Sequence, residues 1–130
     1  MKATIVHYSC PPVIGGVEIV IDLQATFLAR EGFEVTIVAG RGGQTGGISA
    51  AIVPELSSEY PPYAKMEPQL REGQVPDEFS ALKDRIREKL RPLLAGAQSC
   101  IVHNLLTMHL NLAVTAALAE LAARRPVKRL

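Results

Sequence analysis

Aromatic residues and excess charge are both scarce in this 130-residue chain, which has no tryptophan and only 5% aromatic residues. That scarcity argues against a nucleic-acid surface on which bases stack. Fourteen basic and thirteen acidic residues give a formal charge of +1, so the charge does not favour DNA, RNA or an anionic membrane as a partner. We therefore expect small-molecule partners and no nucleic acid.

Long apolar runs and cysteines are also few. No segment reaches the roughly 18 consecutive apolar residues that a membrane span requires, and the N-terminus has the pattern of a strand rather than of a signal peptide. Cys10 and Cys100 lack the spacing of zinc or thioredoxin motifs. In a parallel sheet they would lie at opposite ends of the strands, which excludes a disulfide. Reduced thiols predict a cytoplasmic protein.

Apolar residues, by contrast, make up 48% of the chain, which predicts one ordered domain with its own core. The run Ala3–Tyr8 predicts a strand that is buried on both faces. A helix is predicted over Val17–Glu31, ending at Gly32, with one apolar side formed by Val17, Val20, Ile21 and Leu28. The β-branched run Glu34–Ala39 predicts a second, parallel strand. These elements form a right-handed strand–helix–strand unit.

The middle of the chain has weaker patterns. Five of the eight residues in Gly40–Gly47 are glycine, which predicts a surface loop. Ile48–Pro54 is typical of a short edge strand that ends at its proline. Residues 55–75 have no clear periodicity, and they either lie over the sheet or carry a short helix.

The second half alternates helix and strand again. The sequence predicts an amphipathic helix over Pro76–Ala95, a strand over Ser99–His103, a helix over Leu105–Arg124 capped by Asn104, and the beginning of a fifth strand at Val127–Leu130. This alternation predicts an α/β fold, namely a Rossmann-like three-layer domain with a mostly parallel sheet in the order 3-2-1-4-5. Because the chain stops inside an apparent strand, we expect residues 1–130 to be truncated near the start of strand five.

The predicted strand order brings two loops together. Strands one and four are neighbours at the point where the chain reverses direction, and ligands bind in the crevice at such a point. That crevice would be lined by Ser9–Gly16 after strand one and by His103 and Asn104 after strand four. Gly15 and Gly16 precede a helix whose exposed N–H groups and dipole attract anions. The pattern therefore indicates a phosphate that approaches bare backbone.

A dinucleotide is the first ligand to consider, because it is the commonest one for this fold. Such a site needs G-x-G-x-x-G in a tight turn and an acidic residue after strand two. Here the loop is long, its glycines are adjacent, and Ala39–Arg41 stands where the acid should be. Arg41 would suit only a phosphorylated ribose. Neither a cofactor nor a metal is predicted, since no His, Cys or Asp cluster has ligand spacing.

Two motifs carry a family resemblance. Pro11–Glu18, P-P-V-I-G-G-V-E, precedes a predicted helix, and Val102–Asn104, V-H-N, precedes another. Together they resemble the retaining glycosyltransferases of family 4, which have the two-domain glycosyltransferase B fold. The resemblance implies that residues 1–130 are the N-terminal, acceptor-side domain and that a C-terminal domain, absent from this chain, binds the nucleotide-sugar.

The same resemblance implies roles for single residues. Gly15 and Gly16 would face the diphosphate and the sugar of the donor, and His103 would contact the sugar under attack as the catalytic residue. Glu18 and Asn104 would belong to the acceptor or donor pocket. The implied partners are a nucleotide-sugar, an acceptor that the sequence does not identify, and the C-terminal domain. Alone, the chain would be inactive and could self-associate through surfaces that truncation uncovers.

Each of these residues also has a structural interpretation. The two glycines could simply permit the turn, and Glu18 could complement the helix dipole. His103 could be a polar residue at a strand end, and Asn104 could be only a helix cap. The alternative function is a non-catalytic α/β domain that binds a ligand or another protein.

Overall fold

Four strands form one parallel sheet in the computed structural model, which describes residues 1–43 and 46–124. The strands are β1 (Lys2–Ser9), β2 (Glu34–Arg41), β3 (Ser49–Ile52) and β4 (Ser99–Val102). Their order is β3-β2-β1-β4, and every pair is parallel. These positions are the first four of the predicted order 3-2-1-4-5. The predicted fifth strand, Val127–Leu130, lies outside the described residues.

Four helices flank the sheet. They are α1 (Gly16–Arg30), α2 (Pro61–Arg71), α3 (Asp77–Leu94) and α4 (Leu112–Arg124), and a short 3₁₀ turn occupies Pro54–Leu56. The prediction of an α/β, Rossmann-like domain is confirmed. Among these described helices, none is both long and apolar enough to cross a membrane.

The central strand, β1, divides the core into two layers because its successive side chains point to opposite faces. Val6 and Tyr8 pack with α2, α3 and α4 on one face. Ile5 packs with Ile21 and Ala25 of α1 on the other face. Every residue of β1 after Lys2 is buried, which explains its nearly continuous apolar sequence.

Helix α1 buries a narrower side than the sequence predicted. Ile21 is fully buried and Val17 and Leu28 are partly buried, but 43% of Val20 is exposed. The position inside the first turn that is buried instead belongs to Glu18. The sequence predicted that Val20 would pack inward, but it lies on the flank of the helix. The carboxylate side chain of Glu18 occupies the inward position of the first turn instead.

Helix α3 is amphipathic, as the sequence predicts. Leu82, Ile86, Leu90 and Leu94 are buried at helical spacing. They pack against α4, whose small residues Ala113 and Ala117 are fully buried and allow a close approach of the two helices. The solvent side of α3 carries the charged residues, as an amphipathic helix requires.

The segment 55–75 takes the second of its two predicted forms, a short helix. Pro61 and Pro62 open α2, where a proline costs no backbone hydrogen bond. Tyr63 and Met66 attach α2 to the core. Pro68 lies in the interior of α2, where proline is unusual, so the sequence did not indicate this helix clearly.

The predicted loop over Gly40–Gly47 begins too early, because β2 continues to Arg41. Gly40 is a buried strand residue, and a side chain there would overlap the backbone of Leu56 and Ser57. The glycine is thus needed because another segment crosses the strand at close range.

The prediction of a helix from Leu105 is also wrong, since α4 begins at Leu112. Asn104 is not its cap: the residue has a left-handed backbone (φ 63°), and its carbonyl accepts N–H hydrogen bonds only from Thr107 and Met108. The backbone carbonyls of Met108 and His109 accept hydrogen bonds from the hydroxyl groups of Tyr8 and Tyr63, respectively. These side-chain contacts, which link residues far apart in sequence, hold 104–111 as a loop.

Asn111 ties this loop to the other side of the domain. Its side chain is fully buried, and its amide donates to the backbone carbonyls of Glu55 and Ser57, both at 3.0 Å. The backbone carbonyl of Asn111 accepts the N–H of Val114 in the first turn of α4. Asn111 therefore fixes where α4 begins.

The cysteines behave as the sequence predicted. Cys10 is buried after the end of β1, whereas Cys100 is exposed in β4 opposite Thr4. No disulfide joins them.

We expect Asn111→Ala to lower the free energy of unfolding by about 2 kcal/mol, because two buried carbonyls lose their donor. Urea unfolding of the variant and of wild type measures the difference. Gln74→Ala, at an exposed position, is the control and should change stability little. A loss under about 0.5 kcal/mol for Asn111→Ala would contradict the assigned role.

Candidate functional site

The carboxyl ends of β1 and β4 meet at one edge of the sheet. Val6 pairs with Val102, so the residues that follow, His7 on one strand and His103 on the other, lie side by side. The N–H of His103 donates to the carbonyl of Val6 at 3.0 Å, which extends the pairing by one residue. The strand pairing thus brings the starts of the two loops to the same edge of the sheet.

The first part of the site is a buried carboxylate. Glu18 is 9% exposed, and the Ser9 hydroxyl donates a short hydrogen bond to its Oε1. Gly15 lies against the same carboxylate, and a side chain at Gly15 would overlap it. We call these three residues, Ser9, Gly15 and Glu18, the carboxylate cluster.

Several groups keep Glu18 ionised. Burial by itself would raise the pKa of this carboxyl group, but the Ser9 hydroxyl and the N–H of Glu18 itself oppose that effect. The charges of His7 and Arg41 act in the same direction, and together they hold the pKa of Glu18 below its ordinary value. Glu18 also stands in the first turn of α1, where the helix dipole favours a negative charge.

Gly16 has different surroundings from Gly15. It is exposed, and no atom lies within 4 Å of the position that a Cβ would occupy. The first N–H groups of α1 are not capped by the side chain of a preceding residue, because Gly15 occupies the N-cap position. The backbone at Gly16 is thus open to a ligand, while Gly15 makes room for Glu18.

The second part of the site is a pair of histidines with a glutamine. His103 is half-buried, and its Nε2 lies 2.7 Å from Oε1 of Gln24 in α1. His7 Nδ1 donates to the backbone carbonyl of His103 at 3.0 Å, and the two rings are nearly perpendicular with centroids 6.3 Å apart. We call His7, Gln24 and His103 the histidine cluster.

His103 is held in its neutral form. Burial lowers the pKa of its imidazole, and the neighbouring His7 lowers it further. His7 also acts electrostatically on Glu18, so it links the histidine cluster to the carboxylate cluster. A neutral ring can both donate and accept a hydrogen bond, which suits the recognition of hydroxyl groups.

Two other residues near the site, Cys10 and Asn104, are less suited to a chemical role. Burial raises the pKa of the Cys10 thiol, and the charge of Glu18 adds to that effect, so the thiol stays protonated and unreactive. Asn104 lies next to His103 but uses its carbonyl for the local turn. Within residues 1–43 and 46–124, no group of three or more His, Cys, Asp or Glu side chains could hold a metal ion.

The structure brings most of the predicted site residues to one edge of the sheet. Gly15, Gly16 and Glu18 lie at the start of α1, and His103 and Asn104 follow β4. Ser9 belongs to the lining predicted from the sequence, Ser9–Gly16, whereas no site role was predicted for His7 or Gln24. Gln24 was detectable, because it occupies a helical position in line with apolar Val17, Ile21 and Leu28, where a polar side chain needs a partner.

Comparison of the chain with protein-family models, with curated proteins and with solved structures found no significant match in any of the three.

Gly15→Ala should move the Glu18 carboxylate away from Ser9, because the new methyl group takes its place. The backbone of Gly15 is extended (φ 176°), so alanine adds no backbone strain. Loss of the Ser9 hydrogen bond should raise the pKa of Glu18, which ¹³C NMR titration of its carboxyl carbon measures. Gly16→Ala is the matched control and should leave that pKa unchanged. Equal pKa values in the two variants would refute the packing of Gly15 on Glu18.

Ionised Glu18 should stabilise the fold at neutral pH. Its pKa in the folded state is lower than in the unfolded state, so the stabilisation is present above the unfolded pKa of about 4.3 and is lost as the pH falls through the folded value. The stability difference between wild type and Glu18→Gln should therefore shrink below about pH 4. Glu31→Gln, at an exposed position at the end of α1, controls for general charge effects. A difference that does not vary with pH would show that the carboxylate charge is irrelevant.

Proposed function

We propose that this chain is the N-terminal, acceptor-side domain of a retaining glycosyltransferase that resembles those of family 4. The enzyme would transfer a sugar from a nucleotide-sugar to an acceptor. The observation that carries the proposal is that an open glycine backbone at Gly16, after β1, and a neutral, half-buried His103, after β4, follow neighbouring strands at one edge of a parallel sheet. Ligands of such sheets bind at this edge, where the strand order reverses.

The backbone at Gly16 would interact with the donor. Departure of a nucleoside diphosphate requires stabilisation of negative charge on the leaving oxygen, and N–H groups fixed at a helix start provide it without any reorganisation. Gly16 is exposed and has no neighbour within 4 Å of a Cβ position, so a phosphate or sugar could reach the backbone there. Gly15 instead lies against the Glu18 carboxylate, so it would shape the turn beside the ligand.

Glu18 limits where an anion can bind. Its carboxylate already lies in the first turn of α1 and is engaged by Ser9, so it complements part of the helix dipole. A diphosphate would therefore lie beside Gly16 on the exposed side of the turn, away from the buried carboxylate. Glu18 would form a wall of the sugar pocket, together with Asn104 at the end of β4.

His103 would contact the sugar at the reacting centre. A neutral imidazole can hydrogen-bond a sugar hydroxyl without placing a full positive charge beside the oxocarbenium-like centre that develops when a glycosidic bond breaks. The described donors and acceptors at this edge, namely His103, Gln24 and Glu18, are side chains that suit hydroxyl groups.

The proposal includes a second domain that binds the nucleotide-sugar, an acceptor of unknown chemistry and a cytoplasmic location. Holding donor and acceptor together in one cleft can supply about 7–11 kcal/mol of the barrier. The acceptor-side domain alone would lack this contribution. We therefore expect transfer only when both domains are present.

A non-catalytic interaction domain is the second candidate function. It is favoured by the solvent side of α1, where Ile19, Leu23 and Phe27 are each at least 60% exposed at a spacing of four residues. An apolar stripe of this kind is typical of a surface that contacts another protein. The stripe lies on a different side of α1 from Glu18 and Gln24, which face the sheet.

Gly16→Val tests the proposed function in the protein encoded by the complete reading frame. The side chain would occupy the space that a phosphate or sugar needs, and transfer from labelled uridine, guanosine and adenosine diphosphate-sugars should fall at least tenfold. Because Gly16 is exposed and has no close neighbour, circular dichroism should show an unchanged fold.

Leu23→Gln on the exposed stripe is the control and should keep full transfer. Unchanged turnover of Gly16→Val would remove the glycine loop from the mechanism. No transfer by wild type, combined with a partner whose binding Leu23→Gln abolishes, would establish the interaction domain instead.

A further inference from the structure

Gln24 makes the one side-chain hydrogen bond that orients the ring of His103 in the described part of the chain. Its Oε1 lies 2.7 Å from Nε2 of the imidazole. The backbone of His103 is fixed separately, since its N–H donates to Val6 and its carbonyl accepts from His7. The strand pairing thus places the residue, whereas Gln24 sets the direction of its ring.

The chemistry of this contact decides the tautomer of the ring. An amide oxygen can only accept a hydrogen bond, so Nε2 of His103 must carry the proton. The neutral ring then has its lone pair on Nδ1. Within residues 1–43 and 46–124, no protein group hydrogen-bonds this Nδ1. Among the described residues, this atom is therefore an acceptor that no protein group uses.

The position of Gln24 supports a specific role over a general one. It shares the inward line of α1 with apolar residues, where leucine would pack without a partner. A partly buried amide at such a position costs free energy unless it forms a hydrogen bond. The hydrogen bond to His103 therefore provides something that apolar packing does not. The contact crosses from α1, which also carries Gly16 and Glu18, to the loop after β4.

We propose that Gln24 is a positioning residue that holds the proton of His103 on Nε2 and leaves Nδ1 to accept a hydrogen bond from a hydroxyl group of the bound sugar. That the hydroxyl belongs to a sugar rests on the proposed function. The tautomer of His103 and its dependence on Gln24 do not rest on that function. Ligands recognised at Nδ1 must be hydrogen-bond donors, which favours neutral polyhydroxyl compounds over phosphate oxygens at this point of the crevice.

NMR of the 130-residue chain labelled with ¹⁵N-histidine tests the tautomer. The chain has three histidines, and the His7→Gln, His103→Gln and His109→Gln variants assign their signals. In wild type we expect neutral His103 to be protonated on Nε2. In Gln24→Leu the Nδ1–H form should become populated, because the acceptor that selects Nε2–H is gone.

Gln24→Glu is the matched variant, since it keeps an oxygen acceptor at the same distance. It should preserve the Nε2–H form and raise the pKa of His103 by roughly one unit or more, because a carboxylate favours the charged ring. Gln74→Leu, at an exposed position remote from α1, should change neither quantity. A wild-type His103 protonated on Nδ1, or a tautomer that Gln24→Leu leaves unchanged, would overturn the inference whatever the enzyme does.

Transfer assays of the complete protein separate the inference from the proposed function. If Gln24 positions His103, Gln24→Leu should lower kcat about tenfold or more with little change in KM for the donor. Full activity of Gln24→Leu in an active enzyme would refute the positioning role even with the expected tautomer. Absence of transfer by wild type would refute the glycosyltransferase proposal, and the NMR result would still decide whether Gln24 controls His103.

Discussion

Parallel pairing of β1 with β2 on one side and β4 on the other is the constraint on which the rest of the structure depends. It buries β1 on both faces and separates the core into an α1 layer and an α2–α3–α4 layer. The same pairing aligns the carboxyl ends of β1 and β4. Residues that are almost one hundred positions apart in sequence, His7 and His103, therefore contact each other directly.

Among the described residues, no salt bridge balances the charge of Glu18. The negative charge of Glu18 is stabilised by hydrogen bonds, by the dipole of its own helix and by the more distant charges of His7 and Arg41. His103 is neutral because it is half-buried next to His7. The site thus combines one buried negative charge with neutral hydrogen-bonding groups.

The glycines of this chain show why residue type alone does not reveal a role. Gly15 accommodates a neighbouring carboxylate, Gly16 faces solvent, and Gly40 lets another backbone segment cross β2. All three fit a simple expectation of flexibility, yet only Gly16 leaves its backbone open. The distinction depends on which side chain or segment lies nearby, and those neighbours come from other parts of the chain.

The sequence by itself determined the α/β class, the strands and the amphipathic α3, because the periodicity of apolar residues reflects which faces are buried. It also determined that the loops after β1 and β4 meet, since parallel strand order follows from the alternation of elements. Only the tertiary structure decided that Glu18 is buried on Ser9, that Gln24 orients His103, and that α4 begins at Leu112 rather than at Leu105. Each of these features depends on hydrogen bonds between groups distant in sequence, such as those from Asn111 and the two tyrosines, and local propensity carries no information about such partners.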